Sequence, residues 1–248
     1  MGVSRARLLA IEEAAVRSWP ALQRMPIDGW LWRCTSGGSV RANTVATLAF
    51  SGADVEAAID DVERLYRAAG VPSRFAVSEV SAPSDLDQRL AARGYQRGDD
   101  HVTMAKSVSA CAVPPDTVAL GAERTPEWMT VYLSGLTEDR RGVAPRILAG
   151  LPSHRMYFAC LRQGRIATSG LSIADGQFAS VQCMATAQEA QRQGGARAVL
   201  AAIEAWAAAQ GCTTLYLQTG ADNDGARALY RACGFDLAGY YHTRVLMR

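Results

Sequence analysis

The adjacent glycines in EAQRQGGARAVLAAIEAW, residues 189–206, stand where a polar segment turns into an alanine-rich, helix-forming run. The preceding FASVQCMAT, residues 178–186, is apolar and β-prone, so the local order reads strand, short loop, glycines, helix. That order makes an anion site. The first amides of a helix lack internal partners, and the helix dipole places partial positive charge beside them. Gly194 and Gly195 would let a phosphate approach the backbone with no side chain between. Two glycines alone still favour the plainer reading, a flexible loop entering a core helix. The tract also lacks the Gly-Lys-Ser/Thr ending of a Walker loop and the spacing of a dinucleotide fingerprint.

The elements that must position this tract belong to a chain of 248 residues, long enough for two domains of ordinary size. Its net charge of +2 gives no electrostatic reason to expect nucleic acid. The six cysteines are scattered, with no CxxC pair, and read as reduced thiols. Three histidines lie far apart, so no metal site is expected. LLAIEEAAV near the start is interrupted by Glu12 and Glu13, which makes it an amphipathic helix rather than a signal core or membrane span. The expected location is the cytoplasm, with no membrane association.

Along the first half, the pattern predicts a helix over 5–17, strands near 30–33 and 45–50, and a helix over 53–69 closed by Gly70. The strand RFAVSEV and the short helix of LDQRLAARGY follow. The second half runs in the same order: a helix over 195–209, the strand TTLYLQT, then ARALYRACGF. LYRAAGVPSRFAVSEVSAPSDLDQRLAARGY lies over AWAAAQGCTTLYLQTGADNDGARALYRACGF with a one-residue slip, bringing Gly94-Tyr95 onto Gly234-Phe235. This points to an internal duplication, and Pro114-Pro115 places the linker within 107–120. The expected domains are 1–110 and 111–248.

Gln191-Arg192-Gln193-Gly194-Gly195-Ala196 resembles the Q/R-x-x-G-x-G/A signature of the GNAT N-acetyltransferases. Downstream, Asn223-Asp224-Gly225-Ala226-Arg227-Ala228-Leu229-Tyr230 with Cys233-Gly234-Phe235 resembles that family's N-x-x-A-x-x-L-Y…G-F segment. The resemblance is clear over 155–248 and looser elsewhere, where the chain looks like a subgroup built from tandem domains. It implies an α/β fold of two GNAT-like domains, each a mixed twisted sheet flanked by helices, with acetyl-CoA as co-substrate on the second. The first copy keeps no glycine signature and carries Leu90 at the place of Tyr230, so it is expected to have lost the CoA site.

The resemblance further implies a pyrophosphate on the amides from Arg192 to Arg197, and a pantetheine arm along Met184, Ala185 and Thr186 in the manner of an added strand. Gln191 stands where many relatives have arginine. Tyr230 is the expected acid for the leaving thiolate, since a phenol and a thiol have comparable pKa values, and a main-chain amide near Met184 or Ala185 is the expected oxyanion donor. Asn223 and Ala226 complete the cofactor set. Trp128, Tyr132, Tyr240, Tyr241 and Gln182 are candidates for the acceptor cleft, with residues 137–152 shaping it. No base stands out: Glu189, Asp222, Asp224, His154 and His242 read as exposed or structural, and Cys183 as core. The expected activity is direct transfer of acetyl to a primary amine of a small molecule such as an amino acid, a polyamine or an antibiotic-like amine. The alternatives are an inactive acyl-CoA sensor or scaffold and, more weakly, a nucleotide-binding module, and the reading is compatible with a homodimer.

Overall fold

A computed structural model describes residues 3–109, 112 and 114–247. In chain order the first half contributes α1 (Arg5–Ser18), β1 (Gln23–Ile27), β2 (Trp30–Cys34), α2 (Val55–Ala68), β3 (Ser73–Ser78), α3 (Leu86–Ala92) and β4 (Gln96–Ser107). The second contributes β5 (Val118–Gly121), α4 (Pro126–Ser134), α5 (Glu138–Ala149), β6 (Arg155–Arg162), β7 (Arg165–Asp175), β8 (Phe178–Ser180), β9 (Gln182–Thr186), α6 (Gly195–Ala209), β10 (Thr214–Gly220), α7 (Asp224–Ala232) and β11 (Asp236–Leu246). Residues 110 and 111, where the sequence suggests a boundary, lie outside the described residues.

The matching order seen in sequence extends to pairing. In the second half β6 and β7 form a hairpin, β7 pairs β8 antiparallel, and β8 pairs β10 in parallel. In the first, β1 and β2 form a hairpin, Leu31 bridges Ala46 antiparallel, and Val45 bridges Phe75 in parallel. The strand expected over 45–50 is thus reduced to isolated bridges. Thr47 turns out of register, its hydroxyl donating to the Ala76 carbonyl and its own carbonyl accepting from Ala82 N.

The expected mixed sheet flanked by helices is present, but the halves share it. Among the described residues nine strands form one sheet, in the order β3-β11-β4-β10-β8-β7-β6-β5 with β9 on β7. The last strand of each half is seated beside strands of the other: β11 lies between β3 and β4, and β4 between β11 and β10. Helix α1 also crosses over. Its face of Leu8, Ile11, Ala14 and Ala15 packs in one cluster with Phe178 and Tyr216 of the second half. On the other face of the second-half strands, Val199, Leu200 and Ile203 of α6 pack with Phe158, Leu215 and Leu217. Burying side chains of this size stabilises by about 1.5–3 kcal/mol each. Among the described residues no helix is long and apolar enough to cross a membrane.

Candidate active site

The strand read as FASVQCMAT is broken in two. Val181 N makes the last bond to β10, at the Tyr216 carbonyl, and Cys183 then takes a left-handed backbone conformation at φ 53°. From there β9 stays paired to β7, through Ala185 opposite Ser169 and Thr186 opposite Thr168, while β10 continues without it. Two neighbouring strands diverge, leaving a gap bordered by backbone groups of β9.

At the far end of β9 the chain turns through Arg192 at φ 60° and Gly194 at φ 84° into α6. No side chain among the described residues caps this helix, and its first internal bond is Ala198 N to the Gly194 carbonyl. The amides from Arg192 to Arg197 therefore have no acceptor among the described residues. Orphan donors at a helix start are satisfied by water or by an anion. The glycines have different tasks. Gly194 supplies the left-handed turn in open space, whereas a Cβ on buried Gly195 would collide with Thr168 Oγ1 on β7. Gly195 thus serves close packing rather than phosphate approach. Arg162 reaches the same loop and donates to the Gln193 carbonyl.

The first half shows the contrast. Asp54 caps α2, its Oδ1 accepting from Glu56 N at 2.9 Å and Ala57 N at 3.2 Å, so a carboxylate already occupies that helix start. No gap opens there either, because Val45 N bonds the Arg74 carbonyl and Ala76 N the Val45 carbonyl.

Across the gap, α7 begins at Asn223, whose Oδ1 accepts from Ala226 N at 3.1 Å. That cap fixes where α7 starts and hence where Tyr230, two turns on, points. Tyr230 is 8 % exposed and packs edge-on against Phe235, with ring centroids 5.9 Å apart. Its hydroxyl makes no hydrogen bond among the described residues. Burial, with a smaller contribution from Cys233, pushes its pKa up to about 12.

Between the halves lies a cavity of about 520 Å³, with Tyr230, Asn223 and Met184 on one wall and α1, β2 and the 39–44 turn on another. Four charged side chains of the first half line it, Glu12, Arg33, Arg41 and Asp99, with Arg140 from the second. Glu12 is buried, accepting from the Thr103 hydroxyl and from Gln218 Nε2 at 2.8 Å; burial raises its pKa above the ordinary value, outweighing those bonds. Arg33, 4 % exposed, donates through Nε to the Thr44 carbonyl at 3.0 Å, while its Nη1 has no partner among the described residues. Desolvation lowers its pKa to about 10. Arg41 lies with its guanidinium 4.5 Å from the Trp19 ring centroid and donates to Gln182 Oε1 at 3.0 Å. His101 and Tyr241 stack on the same wall at 4.7 Å.

A family model described as "Probable histone acetyltransferase Rv0428c C-terminal" matches residues 5–244. The chain belongs to this family. It is 27 % identical over 95 % of its length to an uncharacterized N-acetyltransferase, YobR, of Bacillus subtilis, covering 97 % of that protein. It is 24 % identical to the probable histone acetyltransferase Rv0428c of Mycobacterium tuberculosis, over 98 % of this chain and 75 % of that one. A GCN5-related N-acetyltransferase from Kribbella flavida shares the fold, with a TM-score of 0.67 at 17 % identity over 99 % of this chain and 96 % of that one. The protein is a GNAT-type N-acetyltransferase.

In this GNAT protein, Met184, Ala185 and Thr186 border the gap, residues 191–197 surround its far end, and Ala226 and Tyr230 face it from α7. Gln191 and Gln193 are exposed, the latter tied back to the Glu189 carbonyl. Tyr132 and Gln182 line the cavity. Trp128 does not: it is 2 % exposed, donates to the Phe158 carbonyl and packs edge-on against Tyr157 as core. Tyr240 is likewise displaced from the acceptor cleft, being 56 % exposed on the outer face of β11, whereas strand alternation puts the other candidate, Tyr241, on the cavity. His154, Glu189, Asp222 and Asp224 are exposed, and His242 is engaged by Asp87 at 2.7 Å. Burial pushes the Cys183 thiol up to about 12, so it stays protonated on the cavity wall.

Glu12, Arg33 and Arg41 are what sequence reading missed. One signal was available for Glu12: it shares a helical face with Leu8, Ile11 and Ala15, where an unpaired carboxylate does not belong. Among the described residues no group of three or more His, Cys, Asp or Glu is placed to hold a metal.

Proposed function

We propose that the protein transfers acetyl from acetyl-CoA directly to the primary amine of a small molecule, using the second half for the cofactor and both halves for the acceptor. The observation that carries this reading is the gap between β9 and β10, which opens onto a cavity of about 520 Å³ lined from both halves. Acetyl-CoA supplies the activated acetyl group. The amides of residues 192–197 hold its pyrophosphate, helped by Arg162, and the free edge of β9 receives the pantetheine as a strand would be received. Tyr230 gives its proton to the departing sulfur. Glu12 takes the proton of the acceptor amine, the role for which no candidate stood out in sequence, and a buried carboxylate is a stronger base than an exposed one. The first half, with Asp54 on its helix start and its gap closed, binds no CoA and contributes walls and charge.

The test is release of free CoA from acetyl-CoA with amino acids, polyamines, aminoglycosides and, because of the Mycobacterium tuberculosis relative's name, histone-tail peptides. Turnover with small amines is expected. Turnover with peptides alone would overturn the small-molecule reading, and tight acetyl-CoA binding with no turnover on any amine would identify an acyl-CoA sensor.

A further inference from the structure

We propose that the acceptor is a primary amine that also carries a carboxylate, held by Arg33 and Arg41 while Glu12 faces its amine. This rests on the acetyltransferase reading of the same cavity. Two guanidinium groups from the first half converge on the cavity, and no carboxylate lies within 4.0 Å of either among the described residues. Glu12 attracts both guanidinium groups but ion-pairs with neither, so their donors facing the cavity make an arrangement that an anionic ligand completes.

The two groups are held ready. Arg33 is fixed through Nε to the Thr44 carbonyl, which leaves the unpartnered Nη1 as a donor. Arg41 is held on its face by Trp19 and at one nitrogen by Gln182. Gln182 is in turn oriented by its own Nε2, which donates to Ser18 Oγ at 3.1 Å and Ser180 Oγ at 2.9 Å. A guanidinium held on its face and at one nitrogen in this way loses little freedom on binding and presents its remaining donors as a planar fork.

The charge balance selects the anion. Arg33, Arg41 and Arg140 contribute three positive charges and ionised Glu12 and Asp99 two negative, leaving one positive charge on the cavity lining. One carboxylate on an acceptor whose amine is neutral brings the sum to zero, whereas a phosphate dianion overshoots it. The phosphates of CoA are not the intended guests, because their cradle at residues 192–197 lies outside the cavity lining. The amine end is set by Glu12, tied to Gln218 of β10 on the side where that strand leaves β9.

The experiment uses the full chain and matched pairs: an amino acid, the amine left by removing its carboxyl group, and the phosphonate analogue. Turnover is read as kcat/KM for CoA release. Affinity is read by calorimetry of the N-acetylated products with CoA present, which needs no turnover. The amino acid is expected to exceed its decarboxylated partner by at least about 100-fold in kcat/KM, a usual penalty for leaving buried site groups unpaired. Its N-acetyl product should likewise bind at least about ten times more tightly. Arg41→Gln should collapse both ratios toward one, mainly through KM, and Arg41→Lys should restore them only in part, since the fork is lost. Equal handling of the acid and its decarboxylated partner in both measurements overturns the carboxylate assignment while acetyl transfer stands. Preference for the phosphonate overturns it in favour of a phosphorylated amine. Tight binding of the N-acetyl acid without turnover upholds the anion site while removing the catalytic reading.

Discussion

At the scale of residues, the two proton-handling groups make separable demands. The Tyr230 hydroxyl is unshared and holds its proton up to about pH 12, so it remains a donor throughout any working range. Tyr230→Phe is expected to lower kcat by roughly 100-fold or more, the usual worth of a positioned acid, while calorimetry finds acetyl-CoA affinity little changed; unaltered kcat removes its role. Glu12 acts in its charged form, and burial moves its protonation to higher pH against the opposing pull of Arg41 and Arg33. The rate should therefore fall as pH drops through a value above the ordinary glutamate range. Glu12→Gln should abolish that acid limb of kcat/KM, and a limb that survives the substitution belongs to another group. These two residues differ in how legible they were. Tyr230 sits in a motif contained in one turn-and-helix segment, while Glu12 and Arg41 meet Gln218 and Gln182 across separations of 206 and 141 residues. Side chains joined only by sheet pairing leave no local spacing to read.

At the scale of elements, the glycine tract was legible as a helix start but not in its division of tasks. Gly195→Ala should push α6 away from Thr168 of β7 and destabilise by about 1–3 kcal/mol, as overpacking does. Gly194→Ala meets no neighbour and should cost about 1–2 kcal/mol from its left-handed conformation alone. Urea midpoints measure both, and the packing account predicts that a smaller residue at Thr168 rescues the first variant only. The divergence of β9 was not legible, because FASVQCMAT reads as one continuous apolar, β-prone run. The break depends on Cys183 adopting φ 53°, a conformation that residue type does not announce. The same limit applies to Trp128: an aromatic ring serves core and cleft alike until the Phe158 carbonyl is seen to satisfy its N–H.

At the scale of the whole molecule, the duplicated order of elements was visible in sequence because each copy kept its helix-strand-helix pattern, yet the exchange of β4 and β11 was not. Pairing partners across a sheet are long-range choices, and the alternation of each strand fits either neighbour. The exchange implies one cooperative unit. Residues 1–110 and 111–248, produced separately, are each expected to lack a cooperative urea transition, whereas producing them together should restore one along with acetyl-CoA binding. A sharp transition in either fragment alone would show that the halves are autonomous. Synthesis of the chain gives this exchange a further meaning. The first half leaves the ribosome with a slot between β3 and β4 and waits for β11, made last of all the strands, to fill it. Throughout that wait two strand edges stand open to other nascent chains. The interval in which this protein is most exposed to aggregation is therefore set by how fast its second half is translated.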